Sequence, residues 1–259
     1  MVTRNEGALT PVILTIAGFD PSSGAGITAD LRTIQAHGCL GMACITALTV
    51  QNASEVSNVE PVSGQVVSKT LCKLTETTDF SAIKVGMLGT SEVATAVADF
   101  LADHQGKIVV LDPILRSSAG PALLDQMGIE VLKARMVSLA SVITPNLPEA
   151  GSLTGLPVSS RQEVQIAARR LQEMGTPNVV ITGGHAEDNS DFLLTESGEA
   201  HWIEGDRLAS VATHGTGCAY STSLACNLAL GMELPDAAIA AKAFVIESLR
   251  QRSQVESGN

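Results

Sequence analysis

Hydrophobic and polar positions along the chain follow two rhythms. Short runs of Val, Ile, Leu and Ala with little polar alternation occupy residues 12–17, 43–50, 82–85, 107–111, 142–144 and 179–182. Such runs predict strands buried on both faces. Between them, residues 27–37, 62–75, 91–104 and 161–174 carry apolar side chains at three- and four-residue spacing, which predicts amphipathic helices. Ser91 is positioned to cap the third of these, and Gly175 closes the fourth. Two more helices are predicted at residues 216–230 and 235–250. Residues 191–195 and 200–203, joined by Glu196-Ser197-Gly198-Glu199, predict a hairpin near a sheet edge.

Strands that alternate with helices predict an α/β fold, a three-layer α/β/α sandwich around a mostly parallel sheet. The 259 residues fit one domain, with no repeat or linker, and residues 1–10 and 252–259 are expected to be flexible. Aromatic residues make up only 3% of the chain, so the core must be aliphatic. The formal charge of −11 opposes nucleic-acid binding, so any phosphate must be held locally, by a helix N-terminus, backbone N–H groups, a metal or one placed cation. Five cysteines without a C-x-x-C pair argue against a disulfide framework or a zinc site and fit a cytoplasmic protein. The first ten residues lack the apolar stretch of a secretory signal. The uncharged stretches 33–54 and 209–232 are punctuated by His, Gln, Asn, Thr and Gly, so no membrane span is expected.

Polar and glycine-rich clusters follow directly after predicted strands: Gly18-Phe19-Asp20, Gln51-Asn52, Gly86-Met87-Leu88, Asp112-Pro113, Pro145-Asn146 and Gly183-Gly184-His185. In open α/β sheets, ligands sit at these carboxyl ends. His214-Gly215-Thr216-Gly217-Cys218 enters a helix, where glycines and the helix N-terminus can form an anion hole. The same field should lower the pKa of Cys218 and make it a proton acceptor. The alternative is a glycine-rich helix entry with a structural cysteine. Asn146 and Glu149 share a helical face and suit hydrated Mg²⁺, or they form a capping box. Asp112 could project toward Mg²⁺ or phosphates, or simply make an Asx turn. Residues 18–26 match neither the dinucleotide fingerprint nor a Walker loop. Lys242, among alanines, is either solvated or partly buried and facing phosphate.

Taken in order, these clusters resemble the hydroxymethylpyrimidine/phosphomethylpyrimidine kinase family of thiamine biosynthesis, in the ribokinase-like superfamily. The resemblance covers about residues 11–250. Its other segments are Thr15-Ile16-Ala17-Gly18, Gly24-Ala25-Gly26-Ile27, Ala29-Asp30-Leu31, Ile45 to Asn52, and Lys84-Val85-Gly86-Met87-Leu88. It implies ATP-dependent phosphorylation of a hydroxymethyl pyrimidine and of its monophosphate, with Mg²⁺, in a homodimer. By this resemblance Gln51 bonds the aminopyrimidine ring, and Gly18, Asp30, Met87 and Ile114 line its pocket. Gly215, Gly217 and Cys218 are the anion hole and the base. Thr182, Thr216 and Lys242 contact ATP phosphates, and Asp112, Asn146 and Glu149 organise Mg²⁺. Two departures stand out: Thr182 occupies a position where the family often has Lys, and a Gly-Pro-containing tail is missing after Arg250. Thr182 also resembles some pyridoxine-type kinases. A pyridoxal or pyridoxine kinase and a non-catalytic pyrimidine sensor are the alternative expectations. Residues 117–120 and 205–212 are candidate lids.

Overall fold

Residues 9–52, 55–117, 121–183, 189–205 and 215–257 are described by the computed structural model, residues 252–257 by their backbone alone. Strand β1 (Val12–Phe19) leads into helix α1 (Gly26–Ala36), followed by β2 (Leu40–Gln51) and β3 (Val56–Pro61). Then come α2 (Gly64–Thr75), β4 (Ala82–Val85), α3 (Ser91–Asp103) and β5 (Ile108–Leu111). Helix α4 (Gln126–Val131) runs through a π turn (Leu132–Met136) and a 3₁₀ turn (Val137–Leu139) into β6 (Val142–Ile143). Helices α5 (Leu147–Thr154) and α6 (Arg161–Glu173) precede β7 (Asn178–Ile181), β8 (Asp191–Leu194) and β9 (Ala200–Ile203). Helices α7 (Thr216–Ala229) and α8 (Leu234–Ser257) complete the order.

These strands form one nine-stranded sheet in the order β3-β2-β1-β4-β5-β6-β7-β8-β9. Strands β2, β1, β4, β5, β6 and β7 are parallel, while β3 pairs antiparallel with β2 at one side and β8 with β7 and β9 with β8 at the other. The chain steps outward from β1 to β2 and returns to β4 on the other side of β1. The β1/β4 junction is therefore a topological switch point, where a crevice opens at the carboxyl ends.

Two apolar layers flank the sheet. Ile13, Ala82, Val110, Val142 and Val180 face α1, α7 and α8 through Ile34, Leu224 and Ala241. Leu14, Ile83, Val109, Ile143 and Val179 face α2 to α6 through Leu71, Val97, Leu153 and Leu171. The pleat sends alternate residues of each strand to opposite layers, which is why the strands read as continuous apolar runs.

The predicted fold class stands, with corrections at the edges. Strand β3 was not expected; most of its side chains are exposed and it ends at Pro61, features that suit an edge strand. The helical segment over 126–139 was also missed, because it changes from α to π to 3₁₀ geometry and never builds one period. Strand β1 continues through Gly18 and Phe19, which had been read as loop. Helix α2 starts at Gly64 with Ser63 as its cap, and Thr90 rather than Ser91 caps α3. Helix α8 runs on to Ser257, past the expected frayed boundary. The β8–β9 hairpin lies at the sheet edge as expected.

Candidate active site

The loop after β1 meets the start of α7 above the switch point. The loop after β1 is tied by Asp20, whose carboxylate accepts from Ser22 N and Oγ, both at 2.7 Å, and from Ala25 N at 2.8 Å. Gly26 then turns at φ +58, where a Cβ would stand 2.3 Å from the Gly18 carbonyl oxygen. Opposite it, Gly215 caps α7 at φ +80, and a Cβ there would stand 1.9 Å from the Gly24 carbonyl. Only glycine combines that dihedral with that approach. Among the described residues, a Cβ on Gly217 would meet nothing within 4 Å, so space lies open there over the first turn of α7. First-turn N–H groups lack intrahelical partners and carry the positive end of the helix dipole, which makes this space fit for an anion. Thr216 and Gly217 thus stand where a phosphate-binding helix start needs them. His214 lies outside the described residues, as do His185 and most of both candidate lids.

Cys218 sits in the same turn and is buried, with the Gly26 backbone N–H bonded to its sulfur. The expected lowering of its pKa is overturned. Burial pushes the thiol up to about 12, and Asp112 and Asp30 add to the rise, against the opposing pull of Lys84 and the Gly26 N–H. Loss of hydration outweighs the helix field.

Asp30 does not line a pocket. It is fully buried in α1, where its carboxylate accepts from Thr15 Oγ1 at 2.6 Å, Thr222 Oγ1 at 2.8 Å and Lys84 Nζ at 3.0 and 3.2 Å. Lys84, on β4, is fully buried too. It had been quoted only as part of a motif, although a lysine in a four-residue apolar strand was a signal in itself.

The other proposed lining residues do converge. A Cβ on Gly18 would lie 2.8 Å from Met87 Sδ, and Met87 packs with Ala47, Leu123, Ile114, Val56 and Val59. Gln51, half-buried at the end of β2, pairs with Val56 of this cluster. Together they form an apolar floor beside a single amide, at the ends of β1, β2 and β4.

Two more buried carboxylates, Asp112 near Cys218 and Glu149 near Asp112, stand by the site. Asp112 follows β5 and accepts from Ser221 Oγ at 2.9 Å. Burial raises its pKa, while Lys84 and Ser221 work the other way. Glu149 and Asn146 form the capping box: Asn146 N donates to Glu149 Oε2 and Glu149 N to Asn146 Oδ1, each at 2.9 Å. The amide oxygen proposed for Mg²⁺ is therefore held by the helix start. Burial, with the charge of Asp112 behind it, pushes Glu149 up to about 8. A buried carboxyl raised further by a neighbouring carboxylate will take up either a proton or a hard cation. Among the described residues no group of three or more His, Cys, Asp and Glu could hold a metal. A site of two carboxylates completed by phosphate and water is one that Mg²⁺ accepts.

Thr182, after β7, bridges to Asn146 and so stands beside this pair. Lys242, in α8, is buried as one reading allowed, and it already has partners. It lies 3.0 Å from Asp191 Oδ1 and donates to the Asn189 carbonyl at 2.6 Å. Asp191 also accepts from Gly183 N at 2.9 Å, which places the pair next to Thr182. No disulfide forms among the described residues: Cys39, Cys44, Cys218 and Cys226 are buried free thiols, and Cys72 is exposed. No described helix is long and apolar enough to cross a membrane.

A parallel sheet with this switch point, an anion-binding helix start and buried carboxylates across from it defines a ribokinase-like small-molecule phosphotransferase. The phosphomethylpyrimidine kinase family model matches residues 20–259. The chain is 37% identical over 252 residues to the hydroxymethylpyrimidine/phosphomethylpyrimidine kinase of Haemophilus influenzae, covering 95% of this chain and 94% of that one. It resembles the crystal structure of phosphomethylpyrimidine kinase from Clostridium difficile 630, with a TM-score of 0.82, 31% identity, and coverage of 92% and 99% of the two chains. It also resembles the pyridoxal kinase from Staphylococcus aureus in complex with AMP-PCP, with a TM-score of 0.84, 30% identity, and coverage of 93% and 89%. The chain belongs to the hydroxymethylpyrimidine/phosphomethylpyrimidine kinase family.

Proposed function

We propose that this enzyme transfers the γ-phosphoryl group of ATP first to the hydroxymethyl group of 4-amino-5-hydroxymethyl-2-methylpyrimidine and then to the resulting monophosphate, in thiamine biosynthesis. The observation that carries the reading is that the apolar floor, with Gln51 beside it, and the start of α7 meet through two glycines: Gly18 lies against Met87 and against Gly26, whose N–H bonds Cys218. An amide both donates and accepts, as an aminopyrimidine edge requires. Family membership supplies the pyrimidine, and the likeness to a pyridoxal kinase supplies the competitor to be tested.

Phosphoryl transfer needs alignment and charge neutralisation more than covalent chemistry. The hydroxymethyl oxygen bonds to the γ-phosphorus as the bond to the β–γ bridging oxygen breaks, and ADP leaves. Cys218 is a thiol in the free enzyme, so to take the hydroxyl proton it first gives its own to solvent, a loss that Lys84 and the Gly26 N–H favour and burial opposes. The N–H groups of Gly215, Thr216 and Gly217 face the phosphoryl oxygens. Asp112 and Glu149 would hold Mg²⁺, which supplies charge neutralisation on the phosphates, while Asn146 fixes Glu149 in place. Thr182 and Lys242 border the nucleotide phosphates.

The enzyme is proposed to be a cytoplasmic homodimer that binds only small molecules, nucleic acid being excluded by its charge. Leu48 and Val50 stand exposed near the end of β2, where an apolar pair suits a subunit contact. Sedimentation of the purified protein tests this. For the activity, ADP release is measured with Mg²⁺-ATP and, separately, hydroxymethylpyrimidine, its monophosphate, pyridoxal and pyridoxine. Turnover on the first two is expected. Turnover on a vitamin B6 form alone would move the assignment, and nucleotide-independent pyrimidine binding without turnover would mark a sensor.

A further inference from the structure

Beneath the first turns of α7, the switch point carries an ion pair that packing does not require. Asp30 and Lys84 are both fully buried. Each buried charge loses several kcal/mol of hydration, and apolar replacements of such pairs are often no less stable. The carboxylate of Asp30 gathers four elements: its own α1, β1 through Thr15, β4 through Lys84 and α7 through Thr222. Thr222 lies four residues after Cys218, so the two share a face of α7. The neighbouring Ser221 holds Asp112 on the other side. Of the charged neighbours Asp30, Asp112 and Lys84 that act on Cys218, Lys84 alone is positive. Gly86 makes room for it: a Cβ there would lie 2.8 Å from Lys84 Nζ.

We propose that Lys84 is a positioning residue for phosphoryl transfer, a fixed interior cation that anchors α7 through Asp30 and Thr222 and balances the negative charge gathered at its N-terminus. The proposal rests on the reading of that N-terminus as the transfer site. A mere filler of the core would tie stability to this pair and leave turnover per folded molecule alone. A positioning cation must show in kcat, because its effect is greatest when the transferring group carries the most charge.

The test compares wild type with Lys84→Met, Asp30→Asn/Lys84→Met, Thr222→Val and Cys218→Ser. It measures urea stability and, with hydroxymethylpyrimidine and Mg²⁺-ATP, kcat and both KM values. Lys84→Met is expected to lower kcat about tenfold or more while each KM stays within about threefold. The double variant removes both members of the ion pair, so Asp30 leaves no unpaired charge behind; it should regain stability yet keep the low kcat, and it decides the matter if the single variant does not fold. Thr222→Val is close in size and keeps both charges; it should lower kcat with each KM unchanged, at some loss of stability from the bond to Asp30. Wild-type kcat in the double variant would show that Lys84 merely neutralises Asp30, and an unchanged kcat in Thr222→Val would show that α7 is not held through this route; either overturns the proposal. Full turnover by Cys218→Ser would instead remove the proton-acceptor reading while leaving the Lys84 comparison readable.

Discussion

Glu149→Gln tests the carboxylate pair through the pH dependence of stability. In the folded chain, burial and then the charge of Asp112 push the Glu149 carboxyl up to about 8. In the unfolded chain it returns to about 4.3. Between these values the folded form holds a proton that the unfolded form has lost. The stability contribution is therefore complete below the unfolded pKa and is lost as pH rises through the folded one. The slope reaches at most about 1.4 kcal/mol per pH unit, and the whole window is worth on the order of a few kcal/mol, because Asp112 shares the titration. Glutamine removes the titration. It also leaves one acceptor where Asn146 N–H and Leu115 N–H both bond the carboxylate, a loss of about 1 kcal/mol at every pH. The assay is urea unfolding without divalent ions from about pH 5 to about pH 9, followed by the fluorescence of the single tryptophan, Trp202, which packs on Phe192. Wild type should lead at the acid end and lose its lead toward pH 9. Parallel curves would refute the reasoning. Adding Mg²⁺ should stabilise wild type more as pH rises, since the cation needs the ionised pair, and should stabilise the variant much less.

Gly215→Ala would place a methyl against the Gly24 carbonyl at a dihedral that disfavours side chains, which costs about 1–2 kcal/mol in strain alone. A lower melting midpoint with a kcat reduced about tenfold or more is expected, and wild-type kinetics would show that this contact does not shape the anion site. Iodoacetamide should label exposed Cys72 first and leave Cys218 largely unlabelled near neutral pH, because burial keeps the latter a thiol. Peptide mapping that finds Cys218 labelled first would show a thiolate in the free enzyme.

Most of the architecture was legible because it rests on local pattern: apolar runs for the buried strands, helical spacing between them, and glycines at strand ends. The elements that escaped lack such a pattern, since β3 is an exposed edge and residues 126–139 change helical geometry twice. The placement of candidate residues was legible where they sit at strand ends or helix starts, as Gly18, Gln51, Met87, Asp112 and Gly215 do. Asp30 was misread because a polar residue in a helix near the crevice says nothing of its partner 54 residues away. The state of Cys218 was misread for a related reason: the helix field can be read from sequence, but the burial that outweighs it comes from α1, β4 and the strand ends together.

The two lysines near the site follow one rule that bears on how an acidic protein holds an acidic substrate. Lys84 faces Asp30 and Lys242 faces Asp191; in both pairs lysine and carboxylate come from different elements and both are buried. At these two positions positive charge is kept inside and matched, and the proposed phosphate-binding face is made of backbone N–H groups at the start of α7. A basic surface would attract ATP over a distance, and that attraction fades once salt shortens the screening length to about 10 Å at 0.1 M. Short-range N–H groups and buried charges are screened far less. The KM for Mg²⁺-ATP should therefore change by less than about threefold between low salt and 0.5 M potassium chloride at fixed free Mg²⁺. A steep rise with salt would show that nucleotide capture depends on exposed cations and that buried lysines and the helix start are insufficient to hold it.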